Sequence, residues 1–242
     1  MRTTLLLPLL GLAACGHGPG IPIRPLPELV MPLSPAAPIT VRELLLVPQE
    51  KMIWDVHWKG LTIGRIELAV DGDEVHSRFR TGAIVSTVAS VQHELATVLD
   101  RPGARAASQH EALTVDGNAR TIDAVFDGAG YRIDGQLPRA VKRGQAHTLH
   151  SALGALRAWA RPGARPGFLI VLFAGEQIRL EVAEPVPEQL QDRAALRIDA
   201  RAVGGPSPAT VTIWLRAGED RTPLRIEVTG DDGRITAELL DE

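Results

Sequence analysis

From residue 53 onward, apolar and polar positions alternate in short stretches broken by Gly, Asp, Asn and Pro, the pattern of a β-meander. Trp54, Val56 and Trp58 alternate with Asp55 and His57, Lys59-Gly60 turns the chain, and Ile66, Leu68 and Val70 return against Arg65, Glu67 and Ala69. The apolar parity changes from odd to even at Gly64, which predicts a bulge or bend there. After the turn Asp71-Gly72-Asp73, further strands are predicted over 75–81, 112–115, 121–126 and 131–133, with Asp116-Gly117-Asn118 as a turn between two of them. Residues 168–173 form a continuous apolar run of strand length, and strands over 177–182, 195–203, 210–215, 224–228 and 235–239 complete the series.

Two stretches carry helical spacing. Leu149, Leu153, Leu156 and Trp159 fall on one stripe, so a helix is predicted over about 147–160, closed by Arg161-Pro162-Gly163. The stretch 83–99 fits both periods; β-branched residues argue against one long helix, giving a short helix near 83–90 and then a strand with Val91, His93, Leu95, Thr97 and Leu99 on one face. So many strands with so few helices must cover their edges by curling. The fold expected is mainly β, a single curled antiparallel sheet or incomplete β-barrel with one main helix.

The beginning of the chain breaks this pattern. Met1-Arg2-Thr3-Thr4 is short and basic, an apolar run follows from Leu5 to Leu12, and Ala13-Ala14 precede Cys15. The apolar stretch is too short for a membrane span of about 20 residues and reads as a secretory signal over 1–14. Leu12-Ala13-Ala14-Cys15 resembles the lipobox of bacterial lipoproteins, which implies cleavage before Cys15 and acylation of its thiol. It is the sole cysteine, so no intrachain disulfide is available, and acylation disposes of an otherwise oxidisable thiol. Several acyl chains, at about 0.8 kcal/mol per buried methylene, anchor stably where a single chain does not. By the same resemblance, Gly16 in place of an aspartate after the cysteine implies, on the sorting rule of enteric-type bacteria, the outer membrane, facing the periplasm. Prolines at 19, 22, 25, 27, 32, 35 and 38 make residues 15–42 an extended tether, part of which is able to pack on the domain, leaving 43–242 as the β-rich globular domain.

Composition excludes more than it assigns. The chain has 242 residues, 45% hydrophobic, with a formal net charge of −3, so a broadly basic nucleic-acid binder is ruled out. Its aromatic content is only 4%, and most of its cations are arginine. No glycine pattern cradles a phosphate and no Gly-x-Ser-x-Gly elbow occurs.

The closing segment Ile213-Trp214-Leu215, Asp220-Arg221-Thr222-Pro223-Leu224-Arg225-Ile226 and Gly233 resembles the carboxyl end of the bacterial family catalogued as domain of unknown function 3108. The opening hairpin from Trp54 to Val70 is similar to that family's first strand, glycine and strand, and Ser151, Leu153, Leu156 and Arg157 to its central helix, with His147 where an aspartate is common. The resemblance spans about residues 50–240 and implies a β-rich envelope protein with no established reaction.

Candidate chemistry centres on histidine. His147 and His150, three apart, are neighbours on a helix face and candidates for a metal pair lacking a third ligand; the plainer reading is a solvated helix start. Asp55 and His57 share a strand face without a nucleophile, and His93-Glu94 and His110-Glu111 are adjacent pairs whose side chains leave a strand on opposite faces, so neither forms a site by itself. Arg157, Arg161 and Arg165 read as solvated surface cations, and Asp220 to Pro223 as a turn. The leading expectation is a non-enzymatic lipoprotein without cofactor whose concave sheet binds a lipid-like ligand or a protein partner, with Leu149, Leu153, Leu156 and Trp159 as ligand contacts. The alternative is a hydrolase using His57 or His147/His150 with a nearby carboxylate.

Overall fold

The structure, a computed structural model, describes residues 36–83, 85–87, 89–141, 143–203 and 208–240. The expected signal segment over 1–14, Cys15 and most of the proline-rich stretch lie outside these residues. The described residues form one sheet with 17 strands. The first half is an antiparallel meander: β2 (Lys51–Trp58), β3 (Leu61–Asp71), β4 (Glu74–Thr81), β5 (Val91–Asp100), β6 (Arg105–Val115), β7 (Asn118–Phe126), β8 (Gly130–Ile133) and β9 (Arg139–Ala140). The second runs from β11 (Gly167–Phe173) through β12 (Glu176–Val182), β13 (Val186–Leu190), β14 (Arg193–Val203), β15 (Ala209–Arg216) and β16 (Pro223–Gly230) to β17 (Gly233–Leu239). Pairing of β17 with β2 joins the halves.

Two short strands, β1 (Ala37–Pro38) and β10 (Ala146–His147), pair parallel with β11. Parallel neighbours need a crossover. Between β10 and β11 that crossover is the helix α1 (Leu149–Trp159), capped by Thr148, whose hydroxyl accepts from the Ser151 amide. The strand β1, with Ile39 buried behind it, shows that the end of the proline-rich stretch packs on the domain.

The β-reading is sound in its parity. Met52, Trp54 and Val56 are buried on β2, and Val91, His93, Leu95, Thr97 and Leu99 on β5. The short helix expected near 83–90 is reduced to one 3-10 turn at Val85–Thr87. The register slips between Val56 and His57, so Ile63 is the extra residue beside Gly64 and the expected bulge is present. A Cβ at Gly64 would lie 2.3 Å from the Arg80 carbonyl oxygen and 2.7 Å from the Phe79 ring, so only glycine fits. Three two-residue hairpin turns, Lys59-Gly60, Asp116-Gly117 and Ala174-Gly175, have positive φ at both positions, the type I′ geometry that matches strand twist.

The sheet is open and curled, not closed into a barrel. Its ends overlap: Ile122, Ala124, Phe126, Tyr131 and Ile133 from β7 and β8 pack with Leu172 of β11 and Ala146 of β10 in a second core. On the other side of β11, Leu169 and Val171 belong to the main core around α1. Every residue of β11 is therefore buried, the tertiary cause of its unbroken apolar run.

Candidate functional site

The curl encloses α1 and leaves an apolar cavity of about 260 Å³ between the helix and the inner sheet face. Aliphatic side chains of β3, β12, β15 and β16 form its wall, Trp54, Phe79 and Phe173 add aromatic surface, and Leu149, Leu153 and Leu156 of α1 complete it. Trp159, at the last position of the helix, packs against the main core and is not part of the lining. Helix α1 can sit this deep because its far side is covered too: Leu44 and Leu46 press on Gly154, where a Cβ would meet Leu46 Cγ at 2.9 Å.

The polar groups of the lining are Ser77, His93 and His150. His150 is buried, with Nε2 2.8 Å from Ser77 Oγ and Nδ1 2.9 Å from Thr97 Oγ1. Thr97 Oγ1 donates to Thr148 Oγ1 at 3.1 Å, and Thr148 is tied to Ser151 by the capping box. His147 Nδ1 lies 3.3 Å from Ser151 Oγ. The solvated helix start expected from sequence is thus a buried chain of hydroxyls and imidazoles. Burial holds both rings neutral, lowering His147 to about 4 and, with help from His93 and His76, His150 to about 3. Ser77 beside His150 has the outline of a nucleophile and its base, but an imidazole so weakly basic is poorly matched to proton abstraction near neutral pH.

The buried histidine–carboxylate pair is one the strand alternation set aside. His93 and Glu111 occupy the inner faces of neighbouring strands, with His93 Nε2 2.8 Å from a Glu111 carboxylate oxygen. Glu111 also accepts from Gln109 Nε2 at 2.8 Å and from the Ala174 amide at 3.0 Å. Ala174 has φ 50°, unfavourable for a residue with a Cβ, and its amide is held from across the overlap of the sheet ends. Glu111 therefore pins the β11–β12 turn and orients a histidine on the cavity wall. Of the adjacent residues, His110 pairs outward with Asp123 at 2.7 Å and Glu94 with Arg78 at 2.7 Å.

His57 lies on the outer side and contacts Thr62 Oγ1 at 3.2 Å. The hydrogen-bond partners of His57, His147 and His150 in these contacts are hydroxyls, of Thr62, of Ser151, and of Thr97 and Ser77 respectively. Among the described residues no group of three or more His, Cys, Asp or Glu is placed to hold a metal ion, and no helix is long and apolar enough to cross a membrane. A polar depression of about 340 Å³ involving β4 to β7 contains the exposed pairs His76–Glu74 and His110–Asp123.

Arg157 departs from its surface reading altogether. It is fully buried, pairs both terminal nitrogens with the Glu50 carboxylate at 2.8 Å, and donates to the Asp220 carbonyl, while Arg221 returns a bond to the Arg157 carbonyl at 2.9 Å. This lock fixes the C-terminal half of α1, and so the cavity's helical wall.

A helix wrapped by an open, curled sheet has a counterpart among solved structures. The fold is that of a beta-barrel-like domain. The beta-barrel-like protein of domain of unknown function 1849 from Brucella abortus matches with a TM-score of 0.56 at 12% identity, over 81% of this chain and 98% of that one. A family protein of domain of unknown function 1089 from Pseudomonas aeruginosa matches with a TM-score of 0.37 at 12% identity, over 69% of this chain and 90% of that one, too distant to bear on the argument. No family model and no curated protein matches the chain.

Proposed function

We propose that this protein is a non-enzymatic lipoprotein of the bacterial envelope, anchored through acylated Cys15 to the outer membrane on its periplasmic side, whose β-rich domain binds a lipid-like ligand. The observation that carries the binding role is the apolar cavity between α1 and the sheet: its volume of about 260 Å³ lies just below the ~300–1,000 Å³ of typical ligand pockets, and its wall is aliphatic with a few convergent polar groups. Support for the anchor is the order of basic residue, apolar run, small residues and sole cysteine. The resemblance to the family of domain of unknown function 3108 belongs to the same proposal; two segments that carry it, around Arg157 and Asp220, touch one another.

The anchor is tested by metabolic acyl labelling of the wild type and Cys15→Ser in the native host. Label and membrane association are expected for the wild type and lost in the variant; equal labelling counts against the anchor. Binding is tested by mass spectrometry of the mature protein purified from its own envelope. A co-purifying aliphatic small molecule is expected, whereas a stoichiometric protein with an empty cavity would favour a scaffold role.

A further inference from the structure

We propose that the ligand of this cavity is an uncharged, medium-length aliphatic molecule whose head is a hydrogen-bond donor, received by the hydroxyl oxygen of Ser77. The inference rests on the cavity being a ligand site, and it follows from where the protons of the hydroxyl chain must lie. Ser151 Oγ accepts from the Thr148 amide at 3.0 Å and lies 3.4 Å from the Thr148 carbonyl, which can only accept. Thr148 Oγ1 donates to Ser151 Oγ at 3.4 Å, so the chain runs toward that end and Thr148 Oγ1 accepts in turn from Thr97 at 3.1 Å. Thr97 Oγ1 has spent its proton there, so at its contact with His150 the imidazole Nδ1–H donates. That tautomer leaves Nε2 as an acceptor, and the proton of Ser77 is committed to it. What Ser77 presents to the cavity is a lone pair.

Charge is excluded by the rest of the wall. The lining contains no Lys, Arg, Asp or Glu, and its His93 is already bonded to the Glu111 carboxylate at 2.8 Å, so a charged head entering it would lose its water without gaining an unpaired counter-charge. The N-terminal end of α1, which would otherwise favour an anion, already has its Ser151 and Ala152 amides bound to Thr148. Near neutral pH burial keeps the facing imidazole of His150 uncharged. Ser77 itself is only half-buried on the inner face of β4, between the buried Val75 and Phe79.

The test is calorimetric titration of the mature protein with four probes of equal length: 1-octanol, its donor-free isomer 1-methoxyheptane, octanoate and octylammonium. The wild type is expected to prefer 1-octanol over the ether by about tenfold, the scale of one buried hydrogen bond, and to bind both ions more weakly than the alcohol. In Ser77→Val the preference for alcohol over ether should fall to within about twofold, while Ser77→Thr keeps it. Equal affinity for alcohol and ether in the wild type, which requires no variant to fold, overturns the head-group assignment but leaves the cavity a ligand site. A preference surviving in Ser77→Val, or an ion binding tighter than the alcohol, does the same. Failure of all four probes to bind overturns both this assignment and the binding role.

Discussion

Two histidines that cannot be charged in place make the domain sensitive to acid. His147 and His150 have an ordinary value near 6.5 when the chain is unfolded and are lowered to about 4 and about 3 when folded, because burial disfavours the imidazolium. Below 6.5 the unfolded chain takes up protons that the native state refuses, so stability is whole above that value and lost as pH falls toward the folded values. Each ring contributes about 1.4 kcal/mol per pH unit over that window, which adds up to a sizeable part of a typical domain's 5–15 kcal/mol. Urea unfolding midpoints measured from pH 7.5 to 4.5 should drop steeply below 6.5, and His150→Gln should reduce the slope by about half. A slope unchanged in that variant would mean that other groups dominate. Glu111 illustrates the complementary case: alternation along one strand places it opposite its sequence neighbour His110, but only the pairing of β5 with β6 brings it to His93.

At the level of elements, α1 is held less by its own propensity than by what surrounds it. Its apolar stripe is evident in the sequence, yet it has Gly154 in its middle and no acidic residue in its first turn. Packing compensates, through Leu44 and Leu46 over Gly154 and through the Arg157–Glu50–Asp220 lock. Arg157→Met is expected to cost about 3–5 kcal/mol, because it strands the largely buried Glu50 carboxylate. Adding Glu50→Gln should recover more than about 1 kcal/mol of that loss; strictly additive losses on chemical unfolding would show that the two do not act as a pair. Nothing in the spacing around residue 157 distinguishes this arginine from the solvent-facing ones, since its partners are 107 and 63 positions away. The strands were easier to read. Their alternation, the bulge beside Gly64 and the turn dipeptides are local consequences of a two-residue period and of glycine's access to positive φ. The short strands β1, β9 and β10 were not, because two residues carry no period.

For the molecule as a whole, the overlap of the sheet ends replaces the hydrogen bonds that would close a barrel. Leu172 is the side chain β11 contributes to that second core. Leu172→Ala should destabilise the domain by about 2–5 kcal/mol, and amide exchange should accelerate in β7 and β8 more than in β14 to β17. Uniform acceleration across the sheet would show that the overlap is not a separate unit.

The alternating periods, the apolar helix stripe and the glycine turns were enough to specify a curled, mainly β domain around one helix, because each is a property of neighbouring residues. The proposed anchor rests on the same kind of local order, the succession of basic residue, apolar run, small residues and cysteine in the first fifteen positions. The cavity, the Ser77–His150–Thr97 chain, the Glu111 junction and the Arg157 lock depend on strand register and on how far the sheet curls. Those are set by contacts between residues tens to more than a hundred positions apart, which no reading of adjacent side chains contains.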